Sequence, residues 1–256
     1  MSVGARSWRV LARMGLQEGV AVVGAFLVYF AIRGAVVDRA DEAMARGLKI
    51  IDWEKDWGIY HELWMQALIL DQYWLIKVVN WVYFWGHMPL IVIVAVWLYS
   101  KHRETYRLAR NSFLASGAIG LVGYWLFPVA PPRLIEGAGF VDTMALYDRV
   151  GYNAQETAAF VNQFAAVPSL HFGWSLLLGF LIGRTGKSAL WWVLGAVWPV
   201  AMFFSVVMSG NHFIFDAIAG GAVSFAGLGV ALWMERLVER RRADRQGGQD
   251  TARMPA

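Results

Sequence analysis

The chain has 256 residues, of which 58% are hydrophobic and only 16% charged, with a mean hydropathy of +0.44. Soluble domains carry roughly 45 to 50% apolar residues, so an ordinary water-soluble globule is excluded, and the absence of cysteine removes disulfides, thiolate nucleophiles and Cys-ligated metal centres. The net charge of +4 does not imply nucleic acid, because the basic residues flank apolar segments and form no interleaved patch.

Crossing a hydrocarbon core takes about 20 apolar residues. Six stretches approach that length, near 17–37, 73–99, 106–127, 168–183, 188–208 and 213–234. The first contains Arg33, which can snorkel to the interface. No small-residue cleavage site follows it, which predicts a retained anchor rather than a removed leader. After it, Trp53, Trp57, Leu63, Trp64, Leu68 and Ile69 mix with acidic residues at helical spacing. That pattern predicts a helix either lying on a membrane surface or packed on the bundle.

On the second span, Asn80, Tyr83 and His87 fall three and four apart and form a polar stripe. The stripe supplies candidate headgroup contacts, with hydrogen bonding between helices as the alternative. The third span ends in Phe127-Pro128-Val129-Ala130-Pro131-Pro132-Arg133. Prolines stop the helix there and hold Arg133 near the membrane face. The planar fork of Arg133 suits phosphate oxygens, either of a substrate or of a surrounding lipid headgroup.

The fourth span opens with Val167-Pro168-Ser169-Leu170-His171-Phe172-Gly173. A helix start offers free N–H groups and the positive dipole end to an anion, with His171 one turn in. The sixth opens with Ser209-Gly210-Asn211-His212-Phe213-Ile214-Phe215-Asp216. His212 and Asp216 are four apart and share a helix face. An Asp behind a His fixes the tautomer and leaves the other ring nitrogen to attack or to take a proton. For each histidine the alternative is a satisfied interior residue, and His61 and His102 are expected to be solvated or interfacial. From Ala243 the polar tail, residues 243–256, is expected to be disordered.

Short cytoplasmic loops are enriched in Lys and Arg. With the N-terminus inside, 15 of the 23 basic residues fall on internal loops and termini. The expected fold is therefore all-α, a membrane bundle of six transmembrane helices over residues 1–242 with both termini cytoplasmic. The external connections are 38–72 and 128–167, and the longer one is a candidate lid. All three motif clusters then gather on the extracytoplasmic face. The His212–Asp216 pair lacks a third ligand at compatible spacing, so no metal is expected. No nucleotide-cradling loop occurs either, and no cofactor is expected.

Taken in order, Pro-x-Ala-Pro-Pro-Arg ending at Arg133, Pro-Ser-Leu-His ending at His171, and Gly-Asn-His-x-x-x-Asp ending at Asp216 resemble the type 2 phosphatidic acid phosphatase (PAP2) superfamily. The set looks most like the branch that contains inositol phosphorylceramide synthases. The resemblance implies that His212 is a nucleophile forming a phosphohistidine, that Asp216 orients it, and that His171 protonates the leaving group. Arg133 would clamp the phosphate, Ser169 would help to hold it, and no metal would be required. Two cations of the family pattern are missing, at Leu126 and Val206. Asn211 and the helix N-termini are the candidate replacements, and a phosphodiester with one negative charge fewer is the other explanation.

The implied activity is a lipid phosphatase or phosphotransferase acting on a lipid phosphate or phospholipid in the cell membrane. Water or an alcohol such as inositol would be the acceptor, and inositol-phosphate headgroup transfer is one alternative. A different class is a proton or ion transporter through His87, His171, His212 and Asp216. A vanadium-dependent haloperoxidase is disfavoured by the membrane spans.

Overall fold

The computed structural model describes residues 20, 24, 39–147, 163–186 and 188–251. Almost all of the first expected span and residues 148–162 of the longer external connection lie outside them. In chain order the helices are α1 (Ala40–Asp56), α2 (Glu62–Leu70), α3 (Tyr73–Lys101), α4 (Arg103–Leu126), α5 (Thr143–Tyr147), α6 (Leu170–Thr185), α7 (Ala189–Met208) and α8 (Ile214–Thr251). Among the described residues there is no β-strand, only an isolated parallel bridge between Val129 and Ala165.

By length and composition, Tyr73–Lys101, Ala189–Met208 and Ile214–Arg241 are each able to cross a membrane. Their outward faces remain apolar: Trp85, Val92 and Val96 on α3, Leu194 and Val197 on α7, and Ile218 and Trp233 on α8 are exposed. Helix α4 carries Arg103, Arg107 and Arg110 in its first turns, and α6 has only 16 residues. Those two lie where the third and fourth spans are expected, but neither is among the helices long and apolar enough to cross a membrane. The last helix runs past Ala243 to Thr251, through part of the stretch 243–256 expected as a disordered tail, and residues 252–256 lie outside the described residues. The run of Glu, Arg and Ala that leads into the tail favours helix strongly enough to carry the backbone onward.

Helix α6 packs on α7 and α8, and α8 packs in turn on α4. Glycine permits the two closest of these approaches. A Cβ at Gly173 or Gly220 would strike the backbone of the neighbouring helix or of Ser169, and the same holds where Gly179 meets Gly195. The Gly173–Gly220 contact brings the starts of α6 and α8 side by side, which places two of the sequence motifs together. Helix α4 stops before Pro128, because the residue preceding proline is pushed out of the helical region.

Helix α1 is amphipathic, with Ala43, Gly47, Ile50, Ile51 and Glu54 on its buried face. It lies over Val129, Ala130, Ile135, Ala166 and Phe213 as a strap across one end of the bundle. Gly58, at a φ of +70°, turns the chain from α1 toward α2. Of the two placements expected for this stretch, packing on the bundle is the one seen for part of its side chains. Met65, Gln66 and Ile69 face the bundle, while Trp53, Trp57, Trp64 and Leu68 face outward.

Candidate functional site

Backbone hydrogen bonds stitch the three motifs to one another. Arg133 N–H donates to the Gly210 carbonyl at 2.9 Å, joining the first motif to the third. Val129 N–H donates to Phe164 O at 2.8 Å and Ala166 N–H to Val129 O at 3.2 Å, joining the first to the second. Ser169 N–H donates to Asp216 O at 2.9 Å, joining the second to the third. Tyr124 of α4 adds a hydroxyl donor to Pro168 O at 2.7 Å.

Within this frame His212 is 5% exposed and Asp216 fully buried. His212 Nδ1 lies 3.2 Å from Asp216 Oδ2 and 3.0 Å from the Ala166 carbonyl. Both neighbours are acceptors when the carboxyl is ionised, so Nδ1 carries the hydrogen and Nε2 keeps its lone pair. Asp216 Oδ2 also accepts from Phe213 N–H at 2.9 Å, which fixes the carboxyl against the helix start. The Ala166 carbonyl is a partner that no motif spacing announced.

His171 is the second residue of α6 and partly exposed. Its ring centroid lies 6.2 Å from that of His212, 4.6 Å from Tyr83 and 4.7 Å from His87. Tyr83 is also 6.4 Å from His212, so its ring lines the space between the two histidines. Tyr83 sits in a π-helical turn, Val82–Gly86, inside α3. Such turns recur at functional sites, because the widened turn re-aims side chains.

His87 is 2% exposed and sits behind His171 rather than open to a headgroup. Ser175 Oγ donates to the His171 carbonyl at 2.7 Å, which leaves its lone pairs toward His87 Nδ1 at 3.4 Å. Nδ1 of His87 is therefore the protonated nitrogen. The third member of the stripe, Asn80, is engaged elsewhere. Its amide donates to Thr143 O at 3.0 Å and its carbonyl accepts from the Thr143 hydroxyl at 2.8 Å, so it anchors α5.

Arg133 Nε donates to Asn211 Oδ1 at 2.9 Å, and Nη1 pairs with Asp142 Oδ2 at 3.0 Å. Asn211 in turn donates to Ser209 Oγ at 2.8 Å. Asn211 therefore holds Arg133, and Nη2 of Arg133 has no hydrogen-bond partner among the described residues. Ser169 is fully buried as the N-cap of α6, with Oγ accepting from Phe172 N–H at 3.5 Å. At the two positions where cations were missing, Leu126 is 57% exposed on the outer surface. Val206 is fully buried against Met65, Tyr83 and Met202. Among the described residues, no group of three or more His, Cys, Asp or Glu side chains could hold a metal ion.

Two glutamates outside every motif complete this end of the molecule. Glu62 Oε1 accepts from Ile214 N–H at 2.9 Å and Glu54 Oε1 from Phe215 N–H at 2.6 Å. The sequence offered one faint signal for them, an acidic residue at the head of the apolar run Leu63–Leu70.

A sequence model of the PAP2 superfamily matches residues 48–230. The chain is also 27% identical over 169 residues to a phosphoinositol dihydroceramide synthase of Bacteroides thetaiotaomicron. That alignment covers 55% of this chain and 50% of the other, so the chain spans about half the length of the curated relative it matches. No solved structure matches it.

Proposed function

The chain belongs to the PAP2 superfamily, and from that premise we propose that it is an integral-membrane enzyme moving a phosphoryl group or phospho-headgroup from a lipid phosphate to water or an alcohol. The observation that carries this reading is the pairing of a tautomer-fixed His212, its Nε2 without a hydrogen-bond partner among the described residues, with a second imidazole 6.2 Å away by ring centroid. In the first step Nε2 of His212 attacks phosphorus. The bond from phosphorus to the lipid oxygen breaks, and protonated His171 gives its proton to the departing alkoxide. In the second step neutral His171 takes a proton from water or an alcohol as that oxygen attacks the phosphohistidine. The phosphorus–nitrogen bond then breaks and His212 is restored. Arg133 directs its open Nη2 donors at the phosphate oxygens.

Six spans with both termini cytoplasmic put this site on the extracytoplasmic face, and residues 1–242 form the membrane unit. The rings of Tyr83, His171 and His212 all sit toward the strapped end of the bundle, which argues against a transport path stepping across the membrane. A phosphodiester donor is favoured over a monoester. With Leu126 on the outer surface and Val206 in an apolar cluster, Arg133 is left as the clamp cation, which suits one negative charge. The name of the relative adds a product class, a dihydroceramide bearing phosphoinositol.

Purified protein assayed against lipid phosphates with and without inositol separates the acceptors. Inorganic phosphate from a monoester marks a phosphatase, whereas diacylglycerol from phosphatidylinositol marks a headgroup transferase. In either assay His212→Gln is expected to lose all detectable turnover while remaining folded. Full activity in that variant would sink the mechanism, and flux unaffected by orthovanadate would favour a transporter.

A further inference from the structure

The start of α8 is also gripped by side chains from α1 and α2. Three consecutive backbone N–H groups, those of Phe213, Ile214 and Phe215, each meet a different carboxyl: Asp216, Glu62 and Glu54. Asp216 is the residue that also holds His212. Glu54 and Glu62 come from α1 and α2 and are both fully buried. Each uses Oε1 on the helix, and Oε2 of each meets no donor among the described residues. Two ionised carboxylates side by side in a sealed space would repel and lack solvation. One proton held between the two carboxyls removes both problems, and the consecutive N–H groups of Ile214 and Phe215 hold them next to one another.

We propose that Glu54 and Glu62 form a proton-sharing carboxyl pair that positions the start of α8, and through it the His212–Asp216 pair, for the reaction. The role in the reaction rests on the function proposed above; the shared proton does not. The groups facing the pair are Tyr60 in the α1–α2 connection and Asp216 with its partner His212 on α8. No cation pairs with either glutamate among the described residues. Burial, the hydrogen bond to Glu62 and the nearby negative charges push Glu54 up to about 10, and burial beside the same two glutamates pushes Tyr60 up to about 12.

The sign of the linkage follows from a carboxyl that is raised in the folded state. The native protein holds a proton that the unfolded chain has released, so stability declines as pH rises from the ordinary glutamate range toward about 10. Glu54→Gln mimics the protonated partner permanently and removes that decline. In detergent between pH 5 and pH 9, the melting temperature of wild type is expected to fall more steeply than that of Glu54→Gln. Every other titrating group is common to both proteins. Parallel curves would overturn the shared proton.

The positioning role is read from kinetics. Glu54→Ala is expected to lower kcat about tenfold or more, because small misplacements at a reacting centre are costly, with KM nearly unchanged. Glu54→Gln keeps an acceptor for Phe215 N–H and is expected to restore kcat to within about threefold. Wild-type kcat in Glu54→Ala, or equal losses in both variants, would overturn the positioning role. Wild type inactive on every lipid phosphate would instead overturn the function reading, and the melting comparison would still decide the shared proton.

Discussion

Two sets of polar side chains meet the start of α8, and they differ in their access to water. In one set His171 is partly exposed, and Nη2 of Arg133 has no partner among the described residues. In the other set Glu54 and Glu62 are buried where the strap meets the bundle, and each accepts from the helix start. The open side has the groups that can exchange protons and bonds with a substrate. The sealed side can only fix where those groups stand. Charge follows the same division, because an ionised group is tolerated where water or a counter-ion reaches it and is neutralised by a proton where neither does.

That division is broken most directly at Asp216, which belongs to both sides. Asp216→Asn preserves the shape but removes the carboxylate that fixes the His212 tautomer. Turnover is expected to fall by about a thousandfold or more, as an Asp-to-Asn change behind a catalytic histidine does in triad enzymes. The melting temperature should stay close to wild type, because the amide oxygen still accepts from Phe213 N–H. A loss of only a few fold would make the Ala166 carbonyl sufficient by itself to set the tautomer.

The open side is sharpened next by Arg133→Lys. Lysine keeps the charge but cannot reproduce the bonds to Asn211 and Asp142 together with a free pair of donors. The expected loss is about 10- to 100-fold in kcat/KM, the value of one to two charge-assisted hydrogen bonds. A singly charged phosphodiester substrate should lose less than a monoester in this variant, so the ratio of the two losses reports the charge of the natural substrate.

The two sides were also unequally legible in the sequence. Chemistry demanded particular residue types at fixed offsets, so His212 and Asp216, His171 and Arg133 could be picked out before any fold was known. The long spans were legible for a similar reason: the apolar runs near 73–99, 188–208 and 213–234 fall within Tyr73–Lys101, Ala189–Met208 and Ile214–Arg241, allowing for a residue or two at the ends. The roles of Glu54 and Glu62 come from contacts across more than a hundred residues of chain. In sequence, each is one of several acidic residues in a Trp-rich helical stretch, and being in phase with the apolar face does not reveal what it meets. Asn80 misled for the related reason that spacing defines a helix face but not what that face meets, and it meets Thr143. The π turn at Val82–Gly86 left no mark in residue type, although it aligns Tyr83 and His87 with His171.

The smallest expected effect tests whether the strap acts by its acidic end alone. Its basic residues grip a different helix: Arg39 donates to Trp125 O at 2.6 Å, and Arg46 reaches Leu126 O at 3.3 Å and Pro128 O at 3.5 Å. Cations at the carbonyl end of α4 and carboxyls at the amide end of α8 both complement the helix dipoles. The basic contacts are solvent-accessible, however, and both arginines are already paired with Glu42. Exposed ion pairs contribute little, so Arg46→Gln is expected to change kcat by less than about twofold. If Arg46→Gln instead matched the loss in Glu54→Ala, the whole strap would act as one clamp. The buried pair would then be one fastening among several rather than the element that sets the position of His212.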